Sequence, residues 1–127
     1  MSEGQTGLAI KPQANRQGVL RLLILEESTS EAQSLIDLLR NAGYAATAAR
    51  VKSPLEFQVA LKKQEWDLIF SAPSMPNLNA KQALALLAHA KIDVPLIIIG
   101  DQFTEEEHTE ALRYGVRALI RKDQIDR

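Results

Sequence analysis

Arg21-Leu22-Leu23-Ile24-Leu25-Glu26-Glu27-Ser28-Thr29-Ser30-Glu31 decides how the rest of the chain is read. Four consecutive apolar residues, Leu22 to Leu25, do not alternate with polar ones. They suit a strand buried on both faces, as in a parallel sheet sandwiched between helices. An acidic pair closes the strand, and Ser28-Thr29-Ser30-Glu31 then fits a capping box. In that motif the first side chain bonds a free backbone N–H and the fourth reaches back. The stretch therefore predicts strand, turn and helix within eleven residues.

The same sequence of signals repeats along the chain. Apolar runs at Arg21 to Leu25, Tyr44 to Arg50, Asp67 to Phe70, Pro95 to Ile99 and Val116 to Ile120 are separated by segments of helical length. Three more helix starts follow the first, at Ser53-Pro54-Leu55-Glu56, Asn79-Ala80-Lys81-Gln82 and Thr104-Glu105-Glu106-Glu107. In the first helix Ala32, Leu35, Ile36, Leu39 and Ala42 fall on one stripe, and Gly43 offers the left-handed position that ends it; Gly115 does the same for the fourth. This βαβα rhythm predicts an α/β fold with a parallel sheet covered on both faces. Residues 1–18, polar apart from Leu8, Ala9 and Ile10, read as a tail, residues 19–122 as the domain, and residues 123–127 as the start of a truncated helix or linker.

Composition narrows the function classes. The chain has 127 residues, a formal charge of −1 and no cysteine. One domain fits that length, and disulfides, thiolate metal sites and thiol catalysis are excluded. There is no basic stripe interleaved with aromatics to gather nucleic acid. The longest apolar run, Val94 to Ile99, is too short to span a bilayer and the N-terminus does not resemble a secretion signal, so the expected location is the cytoplasm.

In an open parallel sheet, ligands sit beyond the carboxyl ends of the strands where strand order reverses. That directs attention to Glu26, Glu27 and Ser28 after the first strand and to Ser71, Ala72, Pro73 and Ser74 after the third. The Ser28 to Ser30 turn raises the alternative of phosphate or flavin binding at a helix N-terminus. Against it, the turn lacks glycine and two glutamates flank the entrance. Ser71 or Ser74 as a nucleophile would need an adjacent base, and His89 and His108 lie far off in helical segments. Trp66 reads as a packing residue at the sheet rim.

Over Val19 to Lys122 the chain resembles the response-regulator receiver family. The resemblance is carried by the Glu26-Glu27 pair, by Asp67-Leu68-Ile69-Phe70-Ser71-Ala72-Pro73-Ser74-Met75-Pro76, by Pro95-Leu96-Ile97-Ile98-Ile99-Gly100 and by Ala111-Leu112-Arg113-Tyr114-Gly115 through Lys122. It implies a flavodoxin-like, doubly wound five-stranded sheet of order 2-1-3-4-5. It also implies a pocket in which an Asp accepts a phosphoryl group, acids hold Mg²⁺, and a hydroxyl and a Lys contact the phosphoryl oxygens. Aligned on that pattern, the acceptor position is Ala72, the hydroxyl position Gly100 and the aromatic reporter of the fifth strand Leu119. Glu26, Glu27 and Lys122 remain. The pocket is thus expected to be degenerate and non-catalytic, without cofactor or metal, since an acidic pair alone gives Mg²⁺ too few ligands. Lys122 is expected to pair with Glu27 or Glu26 across it.

Two further expectations follow. The family closes with a fifth helix, here missing or truncated after Lys122. Such a helix buries about four apolar side chains at roughly 1.5 to 3 kcal/mol each, so another element should cover that face: the Leu8 to Ile10 island, a second copy, or residues of a longer protein. The resemblance also implies partners among other proteins or other domains of the same chain, met through Arg113, Tyr114, Arg117, Leu119 and Arg121. Arg21-Leu22-Leu23-Ile24-Leu25-Glu26, Asn41-Ala42-Gly43 and Ser71-Ala72-Pro73-Ser74 are, more narrowly, similar to the N-terminal degenerate receivers of FimX-type proteins, which carry GGDEF and EAL domains and are tied to cyclic-di-GMP and type IV pilus motility. That similarity implies an interaction, localisation or dimerisation role.

Overall fold

A computed structural model describes residues 18–125. Five parallel strands, β1 (Leu20–Leu25), β2 (Ala46–Val51), β3 (Leu68–Ser71), β4 (Leu96–Gly100) and β5 (Ala118–Arg121), form one sheet of order β2-β1-β3-β4-β5. The helices α1 (Thr29–Asn41), α2 (Pro54–Lys63), α3 (Ala80–Ala90), α4 (Glu105–Tyr114) and the four-residue α5 (Lys122–Ile125) alternate with them. This is the flavodoxin-like topology expected from the sequence, with a short last helix.

The period-two alternation of a strand splits the core into two layers. Leu23, Leu25, Ile69, Leu96 and Ile98 pack with Phe57, Leu61, Ala83 and Leu87 from α2 and α3. On the other face Leu22, Ile24, Leu68, Phe70, Ile97 and Ile99 meet Ala32, Leu35 and Leu39 of α1 and Ile125 of α5. This second face is closed despite the short α5: Ile97, Ile99 and Ile120 are 0–5% exposed and Ile125 is 1% exposed. The Leu8 to Ile10 island expected to fold onto it lies outside the described residues.

All four expected caps form, since Ser28, Ser53, Asn79 and Thr104 each accept from the N–H three residues on. Only Asn79 with Gln82 and Thr104 with Glu107 complete the reciprocal box. Gly43 and Gly115 adopt positive φ of 102° and 119° at the ends of α1 and α4. Two strands start two residues later than their apolar runs. Tyr44 N–H bonds the Leu39 carbonyl and so finishes α1, and Val116 N–H bonds the Ala111 carbonyl and finishes α4, which leaves β2 and β5 to begin at Ala46 and Ala118. Trp66 packs as expected, with Nε1 donating to the Ala60 carbonyl at 2.9 Å. No helix among the described residues is long and apolar enough to cross a membrane.

Candidate functional site

Register brings the singled-out residues together. β1 and β3 are neighbours with Leu25 opposite Ser71, and Ala72 N–H bonds the Leu25 carbonyl at 2.9 Å. The loops after these strands therefore open side by side, with the β4 end, Gly100, next to them. Between them lies a cavity of about 280 Å³ lined by Glu26, Glu31, Ser71, Ala72, Ser74 and Lys122, with Pro73, Gly100 and Asp101 completing the rim.

The wall facing the cavity from β3 carries one engaged hydroxyl, Ser71, and the loop beyond it adds the exposed Ser74, with neither histidine beside it to act as a base. Ala72 presents a methyl group. Ser71 is buried, 2% exposed, and its hydroxyl donates to the Ala72 carbonyl at 2.8 Å. His89 and His108 are exposed on α3 and α4, and neither lines the cavity. Among the described residues no three His, Asp or Glu side chains converge as a metal site.

Gly100 has a steric reason for its identity. A Cβ built there would stand 2.6 Å from Pro73 Cγ and 3.2 Å from Phe103 Cζ. The space into which a serine or threonine side chain would project is occupied by the proline ring. Pro73 and Phe103 are thus part of the site, and Phe103 was not evident from the sequence because it lies in the loop before α4.

The expected pairing of Lys122 with Glu27 or Glu26 is not what forms. Lys122 Nζ instead donates to Glu31 Oε1 at 2.9 Å, with Asp101 Oδ1 at 3.9 Å. The hydrogen bond to the Glu31 carboxylate is the main cause that raises the Lys122 pKa above its ordinary value; Asp101 and Glu26 add smaller Coulombic contributions. The Glu26 carboxylate is engaged locally, where its Oε2 accepts from Ser28 N–H at 2.9 Å. That is the backbone donor Glu31 would satisfy in a complete capping box, so Glu31 is released to reach Lys122. Glu27 does not line the cavity. It is exposed, and its carbonyl, like that of Glu26, accepts from Arg50 Nη1 at 3.1 Å.

The α4–β5 residues divide into two groups. Tyr114 and Leu119 line a second cavity of about 210 Å³ together with Pro73, Phe103, Glu107 and Glu110. Lys81 Nζ sits 5.8 Å from the Tyr114 ring centre, and burial, then Glu110, raises the phenol pKa. Arg113, Arg117 and Arg121 are exposed and do not line that cavity; Arg121 Nε is paired with Asp123 at 3.1 Å. Pro73 lines both cavities.

No family model matches the sequence, and no curated protein does. Solved structures do match. The receiver domain of the Francisella response regulator 1452 superposes with a TM-score of 0.65 at 22% identity over 82% of this chain and 84% of that one. The chemotaxis response regulator CheY4 of Vibrio cholerae gives 0.63 at 18% over 84% and 92%. The signal receiver domain of a signal transduction histidine kinase from Syntrophus aciditrophicus gives 0.61 at 24% over 80% and 77%. At these identities the likeness is one of architecture, and the architecture is the receiver fold of bacterial signalling regulators.

Proposed function

We propose that this chain is a pseudo-receiver: a receiver fold that does not accept a phosphoryl group, is not an enzyme, and acts by presenting a fixed surface to other proteins or to domains of the same longer protein. The observation that carries the reading is the strand-end pocket. Its acceptor position is a methyl group, its hydroxyl position is closed by Pro73, and its lysine is held by Glu31. Phosphorylation acts by adding charge that rearranges such loops; here Lys122 already ties α5 to Glu31 of α1, and Glu26 is held by the Ser28 N–H.

The acid-rich rim of Glu26, Glu31 and Asp101 also argues against phosphate or flavin in this cavity. Partner contact is assigned to the α4–β5 face, where the cavity beside Leu119 can take an apolar side chain and Arg113 and Arg117 are exposed on the same α4–β5 segment. The sequence similarity to FimX-type degenerate receivers supports a role in cytoplasmic cyclic-di-GMP signalling and type IV pilus motility, with the dinucleotide bound elsewhere than in this domain.

Exposure to a small-molecule phosphodonor with Mg²⁺, followed by intact-mass measurement, tests the reading. An unchanged mass is expected, and a stoichiometric phosphoryl adduct on Ser71, Ser74 or any other pocket residue overturns it. Charge reversal at Arg113 and Arg117 should abolish partner recovery in pull-downs.

A further inference from the structure

The two edges of the sheet are not alike. β5 ends in Arg121, paired with Asp123, and runs into α5. β2 reads Ala46-Thr47-Ala48-Ala49-Arg50-Val51, with no proline, no lysine and small residues through its middle. Such an edge lacks the devices that usually discourage strand addition. Its one charge, Arg50, is turned back onto the Glu26 and Glu27 carbonyls. Beside this edge α2 carries two of the exposed large hydrophobic residues, Leu55 at 71% and Val59 at 46%. Both line a groove of about 630 Å³ whose floor is β2.

We infer that this groove and edge are a self-association surface: a second copy of the chain adds its β2 antiparallel to this one about a two-fold axis at Ala48, making one continuous sheet. Backbone direction selects that register. Leu20 N–H bonds the Ala45 carbonyl and Glu26 N–H the Val51 carbonyl, so the odd-numbered residues of β2 point their polar groups towards β1. By alternation, Ala46, Ala48 and Arg50 point theirs outward. A two-fold axis through Ala48 sets Ala48 opposite its own copy and Ala46 opposite Arg50, so the outward N–H and C=O groups meet partners; the Ala46 carbonyl, which already accepts from Arg40 Nη2 at 3.1 Å, offers its second lone pair. The same axis keeps α2 of both copies on one side of the sheet, running antiparallel.

Charge complementarity argues for a second copy over an unrelated strand. The strand ascends about 3.3 Å per residue and α2 descends about 1.5 Å per residue, so Ala48 and the Val59–Ala60 turn lie at similar heights. The axis therefore brings Val59 towards Val59 and Glu56 at the start of one helix towards Lys63 at the end of the other. All of these residues line the groove. A surface whose apolar centre meets itself and whose acid meets its own base is what an isologous dimer requires. The inference uses no residue of the strand-end cavity, so either reading can fail without the other.

Cysteine substitution reads the register directly, because the chain has no cysteine of its own. In a hydrogen-bonded antiparallel pair the Cα atoms are about 5.5 Å apart, within disulfide range. Ala48→Cys in the full chain should therefore form a dimer under mild oxidation. Thr47→Cys should not, since its own copy lies on a diagonal about 7–8 Å away. Light scattering on the cysteine-free chain should show mass rising towards two copies with concentration, and Val59→Arg should weaken that association at least about a hundredfold while circular dichroism stays unchanged. A monomer at all concentrations, a dimer indifferent to Val59→Arg, or equal crosslinking at Thr47 and Ala48 each overturns the inference.

Discussion

Replacing Gly100 by alanine gives the sharpest test of how the pocket is closed. Gly100 is a strand residue without positive φ, so alanine meets no backbone penalty there. On general grounds the change should stabilise, by about 0.4–1 kcal/mol, because alanine restricts the unfolded chain. The structure reverses the sign. The new Cβ would lie 2.6 Å from Pro73 Cγ and 3.2 and 3.4 Å from two ring carbons of Phe103. Carbon atoms pack best at about 3.5–4.0 Å, so the proline ring must retreat by about 1 Å. Overpacking of this kind costs about 1–3 kcal/mol. The net expectation is a loss of about 0.5–2 kcal/mol, or roughly 2–8 °C in Tm for a domain of this size. Urea denaturation of the wild type, Gly100→Ala, Pro73→Ala and the double variant forms a complete cycle. In the Pro73→Ala background the alanine at 100 should become neutral or stabilising. If Gly100→Ala by itself proves as stable as the wild type, the steric account of this pocket is wrong.

Three other outcomes can be stated. The Lys122–Glu31 pair is partly exposed, 34% and 53%, so Glu31→Gln should cost no more than about 1 kcal/mol at low salt. Because pairing raises the Lys122 pKa, its contribution is full below the unfolded lysine value of about 10.4 and is lost as pH rises through the folded value. The stability difference between wild type and Glu31→Gln should accordingly vanish in strong alkali, as followed by urea midpoints against pH. Gly115→Ala forces a side chain to φ of 119° while its Cβ meets only Leu84 at an ordinary 3.5 Å; strain alone should lower stability by about 1–2 kcal/mol in the same assay. The Asp67 side chain is 5% exposed and accepts from the Arg21 backbone N–H, Nε and Nη2, so Asp67→Ala should lower Tm by more than Glu31→Gln does.

Local signals carried most of the fold. Continuous apolar runs located the strands, and Ser28, Ser53, Asn79 and Thr104 located the helices, because strand burial and capping depend on neighbours a few residues apart. The end of α3 left no such trace. Lys91 takes the left-handed position with φ of 61°, where glycine or asparagine would have announced it. The pocket was legible as a set of positions and less so as a set of bonds. Ala72, Gly100 and Lys122 line it, while Glu27 turns away. The partner of Lys122 lies 91 residues from it in the chain, on a glutamate whose sequence context pointed to capping. Which of two acids caps a helix and which pairs with a lysine is decided by side-chain reach across the sheet ends, a distance absent from spacing. Leu55 and Val59 were hidden in a similar way, since their spacing of four in α2 fits an inward stripe as well as an outward one.

Trp66 stands where α2 meets β3 and lines both the groove beside β2 and a neighbouring cleft of about 480 Å³ near Arg21 and Pro95. It is the only tryptophan in the chain. The indole is therefore an intrinsic optical probe at the base of the molecule, remote from the strand-end cavity, whose lining it does not share. Its emission colour and quenching by iodide report solvent reaching that groove without any label, and every variant above can be compared by light from the same single chromophore.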